Sequence, residues 1–166
     1  MAEALGALPP RMVQPPPGEA ARQWVDLLAR TECPALTARR ARRQERSGAP
    51  QDPIVWAQAH GANVVDVDGN VYVDLTAGFG AAAVGHAHPR VVSAIKEQSE
   101  RLLHALGDLH PSDVKVRLLE RLTDLAPWPD ARAILGQNGA DAVDAALKTA
   151  VLATGRPGVL AFDGGY

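Results

Sequence analysis

The sequence predicts an α/β protein in which an N-terminal helix and a β-hairpin lead into the start of a mostly parallel sheet with helices, a sheet still incomplete at residue 166. Three observations predict it. In NVVDVDGNVYVD, β-branched residues alternate with polar ones on both sides of Asp68-Gly69, the pattern of two antiparallel strands around a tight turn. Apolar residues recur at the 3.6-residue helical period in several other stretches. The last third reads as strand, helix, strand (ARAILGQNG, ADAVDAALKTAVLATG, GVLAFDGGY), which implies a parallel pair with a right-handed crossover.

Residues 1–18 carry Pro9, Pro10, Pro15, Pro16 and Pro17, and proline removes backbone donors, so a mobile, disordered leader is expected. Residues 19–88 form a helical and hairpin segment. Its helix runs from Glu19 to about Arg30, with Trp24, Leu27 and Leu28 on one face. An arginine cluster follows (Arg39, Arg40, Arg42, Arg43, Arg46), a run that most often marks a solvated helix face. Residues 89–166 begin a larger domain. Pro89 suits a first helical position, and Val92, Ile95, Leu102, Leu103 and Leu106 extend that helix to about Leu106. A second helix is capped near Ser112 and Asp113, carries Val114, Leu118, Leu119, Leu122 and Leu125, and stops at Pro127; the two are expected to share a core. A third has Ala142, Val143, Ala146, Leu147, Ala150 and Val151 on its inward face and Gly155 at its end.

Composition excludes several classes. With 46% hydrophobic and 22% charged residues the chain fits a globular unit, and a net charge of -2 gives no electrostatic reason to expect nucleic acid or an anionic membrane as partner. No apolar run approaches the roughly 20 residues that cross a bilayer, and MAEALGALPPRMVQPPPGE lacks a continuous export core. Cys33 is alone and cannot close an internal disulfide, so a cytoplasmic setting is the default; with no neighbouring histidine or cation it reads as inert.

GQNGA, residues 136–140, sits where a strand would end and a helix begin. Such a loop presents free amides and the positive end of the helix dipole, so it can hold an anion without a basic side chain. Gly139 lets an oxygen approach closely, and Gln137 and Asn138 add donors. Neither G-x-G-x-x-G nor G-x-x-x-x-G-K-[ST] is present, and an ordinary helix-start turn remains the other reading of this loop. His86 and His88 form an His-x-His pair with His104 and His110 farther on, but no Cys or Glu completes a ligand spacing and no metal is expected.

Several segments together resemble one family, the class III aminotransferases of fold-type I, which use pyridoxal 5'-phosphate. GANVVDVDGNVYVDLTAGFG is similar to that family's hairpin and Asp-x-x-x-Gly turn, GHAHPRVVSAIKEQ to its Gly-His-x-His-Pro run, QNGADAVDAALKTA to its Asn-Ser-Gly-Thr-Glu-Ala segment, and FDGGY to the strand before its aromatic-His-Gly triplet. The resemblance covers about Asp52 to Tyr166. It implies that residues 89–166 begin the large domain of a fold-type I transferase, and that the amides of Gly139 and Ala140, with Asn138 beside them, receive the cofactor phosphate while Tyr166 stacks on its ring. Asn138 and Ala140 stand where serine and threonine are usual, so hydroxyl contacts to the phosphate are lost or replaced. Asp141, in the place of the usual glutamate, is expected to point away from it. Gly78 and Phe79 match a turn near the substrate entrance at the family's dimer interface, although Phe79 could equally be core.

The same resemblance places the Schiff-base lysine and the acidic partner of the pyridine nitrogen downstream of Tyr166. Lys96, Lys115 and Lys148 read as exposed helix positions and none matches it, so no catalytic residue is assigned in this chain. The expected protein is therefore the N-terminal part of a homodimeric transaminase that moves an amino group from an amino donor to a keto acid or aldehyde, inactive as this piece alone. A non-transaminating relative such as an aminomutase would share every motif above, and a non-catalytic phosphate-binding module is the third possibility.

Overall fold

The computed structural model describes residues 5–49 and 52–164, which fall into two compact units, 1–101 and 102–166. In the first, α1 (Glu19–Thr31) and α2 (Pro34–Ser47) precede three strands, β1 (Trp56–His60), β2 (Asn63–Asp66) and β3 (Val71–Val73), and then α3 (Pro89–Arg101). The strands make one antiparallel sheet in the order β1-β2-β3. The hairpin is centred where Asp68-Gly69 predicts it, with Val64 opposite Tyr72 and Val65 opposite Val71. Gly69 has φ +84°, a conformation that side chains disfavour, and its amide donates to the Asp66 carbonyl at 3.1 Å. β1 lies outside the expected pattern. It is joined to β2 through Gly61 (φ +57°), pairs Ala59 with Val64, and carries an irregularity between Trp56 and Gln58.

The interior of this unit is as polar as it is apolar. Ala21, Val64 and Val71 are buried, and so are Asn63, Asp66 and Asn70. Buried polar groups need partners, and these have them. Asp66 accepts the Asp68 amide (2.9 Å), the Asn70 amide (2.8 Å), Asn70 Nδ2 (2.8 Å) and the Tyr72 hydroxyl (2.8 Å). Burial pushes its carboxyl up, yet these hydrogen bonds outweigh burial and leave it below the ordinary value. Tyr72 is pushed up to about 12, by burial first and by its bond to the Asp66 carboxylate second.

Residues 5–18, expected as a mobile leader, run along this hairpin and bond to it. Arg11 and Val71 exchange backbone hydrogen bonds of 2.9 and 2.8 Å, the Leu8 amide donates to Asn63 Oδ1, and the Val13 amide donates to Asn70 Oδ1 at 2.6 Å. The carboxylate of Asp68 receives the amides of Gly18, Ala20 and Ala21, so the start of α1 is capped by the hairpin turn. Proline lacks a donor, but the residues between the prolines do not, and side chains of the hairpin satisfy them.

α2 carries the arginine cluster and buries no residue. α3 ends at Arg101, short of the expected Leu106, because Leu106 and His110 pair around a turn in which Gly107 has φ +63°. That turn opens the second unit, which contains α4 (Asp113–Leu125) and α5 (Gly139–Thr154). Ser112 caps α4 as its sequence predicts, through a bond from the Lys115 amide, and Gly155 ends α5 in the left-handed region. The expected strands within 131–136 and 158–162 do not form; these segments carry no ladder among the described residues. Strand is a property of a pair, and an apolar run alone cannot supply the partner. The apolar faces of α4 and α5 are open to solvent, with Leu118, Leu122, Val143 and Leu147 all exposed.

Candidate functional site

Asn138, Gly139 and Ala140 come together at the start of α5. Asn138 is extended (φ -158°, ψ 176°) and its side chain accepts the Asp141 amide at 3.0 Å. Asp141 reaches back and accepts the Gln137 amide at 2.9 Å, a reciprocal cap that uses Asn138 Oδ1 and Asp141 Oδ2. The two glycines differ in role. A Cβ at Gly136 would stand 3.0 Å from the Ala142 nitrogen, so Gly136 lets the first helical turn close over the loop. A Cβ at Gly139 would meet nothing within 4 Å, so Gly139 faces open space. Its amide and that of Ala140 have no acceptor inside the helix, and they border a cleft of about 770 Å³ lined also by Asn138, Val143, Asp144 and Leu147. Two free amides at the positive end of a 16-residue helix suit an anion, and the open cleft leaves room for a ring attached to it. Asp144 also lines this cleft, its charge balanced by Lys148 at 2.6 Å.

The sequence-predicted Gly78 and Phe79 belong to the first unit. Gly78 and Phe79 lie in the loop between β3 and α3, and Phe79 is 99% exposed in this chain. Ala77, Gly78, Phe79 and Gly80 have φ of +50°, +57°, +56° and +88°, four consecutive left-handed residues of which two bear side chains. Such conformations cost on the order of 1 kcal/mol or more per non-glycine residue and persist only when the surroundings impose them.

The loop's own backbone hydrogen bonds, such as Ala82 amide to Ala77 carbonyl at 2.9 Å, act here together with a pair that the sequence motifs do not reveal. Asp74 Oδ1 accepts the Thr76 amide (2.9 Å) and hydroxyl (2.7 Å), and Oδ2 accepts the Gly78 amide (2.8 Å) and faces His86 Nε2 at 2.8 Å. The His86 ring, then the Thr76 hydroxyl and the two amides, hold the Asp74 carboxyl well below the usual carboxylate range. His86 is itself anchored, its backbone exchanging 2.8 Å hydrogen bonds with Gly61 and its ring edge-on to Trp56 at 5.9 Å. Asp74 and His86 both fall inside quoted motifs, but they are 12 positions apart and only the fold joins them.

Among the described residues no three His, Cys, Asp or Glu side chains converge as metal ligands. Lys115 is half-buried rather than exposed, its Nζ donating to the Gly107 carbonyl at 3.2 Å; Lys96 is exposed. Cys33 is a free, exposed thiol. Tyr166 lies outside the described residues. No helix among the described residues is long and apolar enough to cross a membrane.

Comparison with known proteins gives this geometry a context. The chain is 34% identical over 157 residues to an alanine/serine racemase of Pyrococcus horikoshii, covering 95% of this chain and 31% of that protein. It is 35% identical to a 5-aminovalerate aminotransferase of Pseudomonas putida, over 80% of this chain and 31% of the relative. The chain thus spans about a third of the length of these curated relatives. Among solved structures, taurine:2-oxoglutarate aminotransferase of Bifidobacterium kashiwanohense, in complex with PLP and glutamate, superposes with a TM-score of 0.58 at 34% identity, covering 66% of this chain and 24% of that one. The fold-type I likeness expected from the motifs is thereby seen in three dimensions, although the described sheet is antiparallel. The family model for class III aminotransferases matches residues 45–166, and the chain belongs to that family.

Proposed function

We propose that this chain is the N-terminal part of a pyridoxal 5'-phosphate-dependent enzyme that transfers an amino group from an amino donor to a keto acid or aldehyde. The observation that carries the proposal is the pair of unpaired amides, Gly139 and Ala140, at the start of α5 beside an open cleft. They would hold the phosphate with Asn138 beside them, its Oδ1 capping the Asp141 amide and its Nδ2 left to donate to the ligand. Bound there, the cofactor supplies an electron sink at the substrate carbon. Tyr166 is proposed as the aromatic neighbour of its ring, and Gly78 and Phe79 as contacts on the substrate side. The acid-base lysine is proposed to come from the family's downstream length, which would leave this part inactive alone. Homodimer assembly and a cytoplasmic setting complete the proposal, supported by family membership and by the solitary Cys33.

A second reading has a specific observation in its favour. The match covering 95% of this chain is to a racemase, so inversion of an amino acid α-carbon is the alternative to transfer. The parent protein, incubated with L-alanine and 2-oxoglutarate, is expected to form glutamate; D-alanine without glutamate would replace transfer by racemisation. The phosphate site has its own test. Asn138 already has the extended backbone that precedes proline, and proline is tolerated at a first helical position, so Gly139→Pro removes one amide while keeping α5. Since a hydrogen bond to a charged group contributes about 1.5–3 kcal/mol, the affinity for pyridoxal 5'-phosphate is expected to fall at least about tenfold. Gly139→Ala, which keeps the amide, should bind within about threefold of the parent, and equal affinities for all three would remove the phosphate from this loop.

A further inference from the structure

The loop between β3 and α3 combines three features that do not follow from chain connectivity. From Leu75 to Gly85 it has no charged residue, it presents Phe79 almost fully to solvent, and it passes through four successive left-handed residues at 77–80. A left-handed run containing Ala77 and Phe79 would relax if the chain were free to do so. It is not free: backbone hydrogen bonds within 76–85 hold its turns, and the Asp74 carboxylate gathers the Thr76 and Gly78 amides from within the loop and the His86 ring from its far end. Asp74 has a 5% exposed side chain and His86 a 17% exposed one, so little water competes for these bonds. His86 is fixed on its other side by Gly61 and Trp56, which ties the far end of the loop to the sheet.

We propose that Asp74 and His86 are a positioning pair: they clamp both ends of the 75–84 loop to the sheet and so set where Phe79 is presented. The pair touches no reacting atom. This deepens the function proposed above, since what Phe79 meets rests on that reading, whereas the clamp itself rests only on the hydrogen bonds. Asp74 works through its four acceptor contacts, and His86 through the single Nε2–H that Oδ2 receives. An uncharged donor of similar reach at position 86 therefore restores the clamp, while a methyl group does not.

The test is cleavage by chymotrypsin after Phe79, together with amide hydrogen exchange at Thr76 and Gly78, in the full chain at neutral pH. Phe79 is exposed, so its cleavage is limited by opening of the loop rather than by access to the side chain. Asp74→Ala and His86→Ala are expected to raise both rates by about tenfold or more, and His86→Gln to return them to within about threefold of the parent. The amides of Val64 and Val65 in β2 report whether the sheet remains folded. If Asp74→Ala also exposes those, His86→Ala against His86→Gln decides, because both variants leave the carboxylate and its amide bonds in place. Rates unchanged by His86→Ala, or equal for the alanine and glutamine variants, overturn the proposal. Binding of pyridoxal 5'-phosphate, followed by absorbance in the same preparations, fails or succeeds separately and reports only on the phosphate loop.

Discussion

The hairpin and the α5 start solve the same problem at different scales. Both must satisfy polar groups where regular structure begins or turns. In the hairpin, Asp66 alone collects four donors, Asn63 and Asn70 reach the N-terminal segment, and Asp68 caps a helix some 48 residues earlier in the sequence. At the α5 start, Asn138 and Asp141 satisfy one amide each from within four residues, and two amides remain for something else. The first arrangement is closed and therefore structural. The second is left open, and an open set of donors at a helix terminus is what an anion site requires.

The contrast predicts unequal costs of mutation. Asp66→Ala removes the acceptor of the Asp68 and Asn70 amides, of Asn70 Nδ2 and of the Tyr72 hydroxyl, leaving the last two only their mutual 3.3 Å contact, and it is expected to cost about 3 kcal/mol because bonds to a charged acceptor are lost together. Urea unfolding followed at Trp56 should show it. A cost below about 1 kcal/mol would mean that water replaces the carboxylate and that the network is not closed.

Tyr72 sharpens the same point through pH. Its hydroxyl donates to a buried carboxylate, so its ionisation is expected at about 12 by ultraviolet absorbance, above the ordinary value of 10.0. The folded-state value is raised, so the stabilisation is complete below pH 10 and disappears as pH rises toward about 12. Asp66→Asn should bring the ionisation back toward the ordinary value. Asp74 has the opposite sign: its value is depressed, so what it contributes is present above its ordinary 3.8 and is lost only as pH falls below that.

How much of this was legible follows from how local each feature is. The β2-β3 hairpin could be read because period-two alternation and Gly69 are both contained in NVVDVDGNVYVD. α5 could be read because its cap at Asn138 and its stop at Gly155 sit next to the apolar stripe they bound. β1 could not, because WAQAH alternates small and polar residues without β-branching and its register is irregular. The runs in 131–136 and 158–162 read as strands from apolarity, yet pairing is non-local and no ladder forms between them. Asp74 and His86 were hidden for the same reason, since their contact depends on Gly61 bringing the two loops side by side. The phosphate loop was legible as a place but not in its division of labour: that Gly136 serves packing and Gly139 serves access depends on how the loop folds against the first turn of α5.

The smallest expected effect tests whether the open end of α5 is independent of the closed network. Asn138→Ala removes one cap, worth about 1 kcal/mol of helix stability, and frees the Asp141 amide. Hydrogen exchange at the first turn of α5 should rise by about fivefold, while exchange at Val64 and Val65 and the Tyr72 ionisation stay put, because no hydrogen bond of Asn138 reaches the hairpin. The substitution removes Nδ2 but adds a third unpaired amide beside Gly139 and Ala140, so the affinity for pyridoxal 5'-phosphate should fall less than in Gly139→Pro, where an amide is deleted outright. Equal losses in the two variants would show that the preformed shape of the loop, and not its count of free amides, decides anion binding.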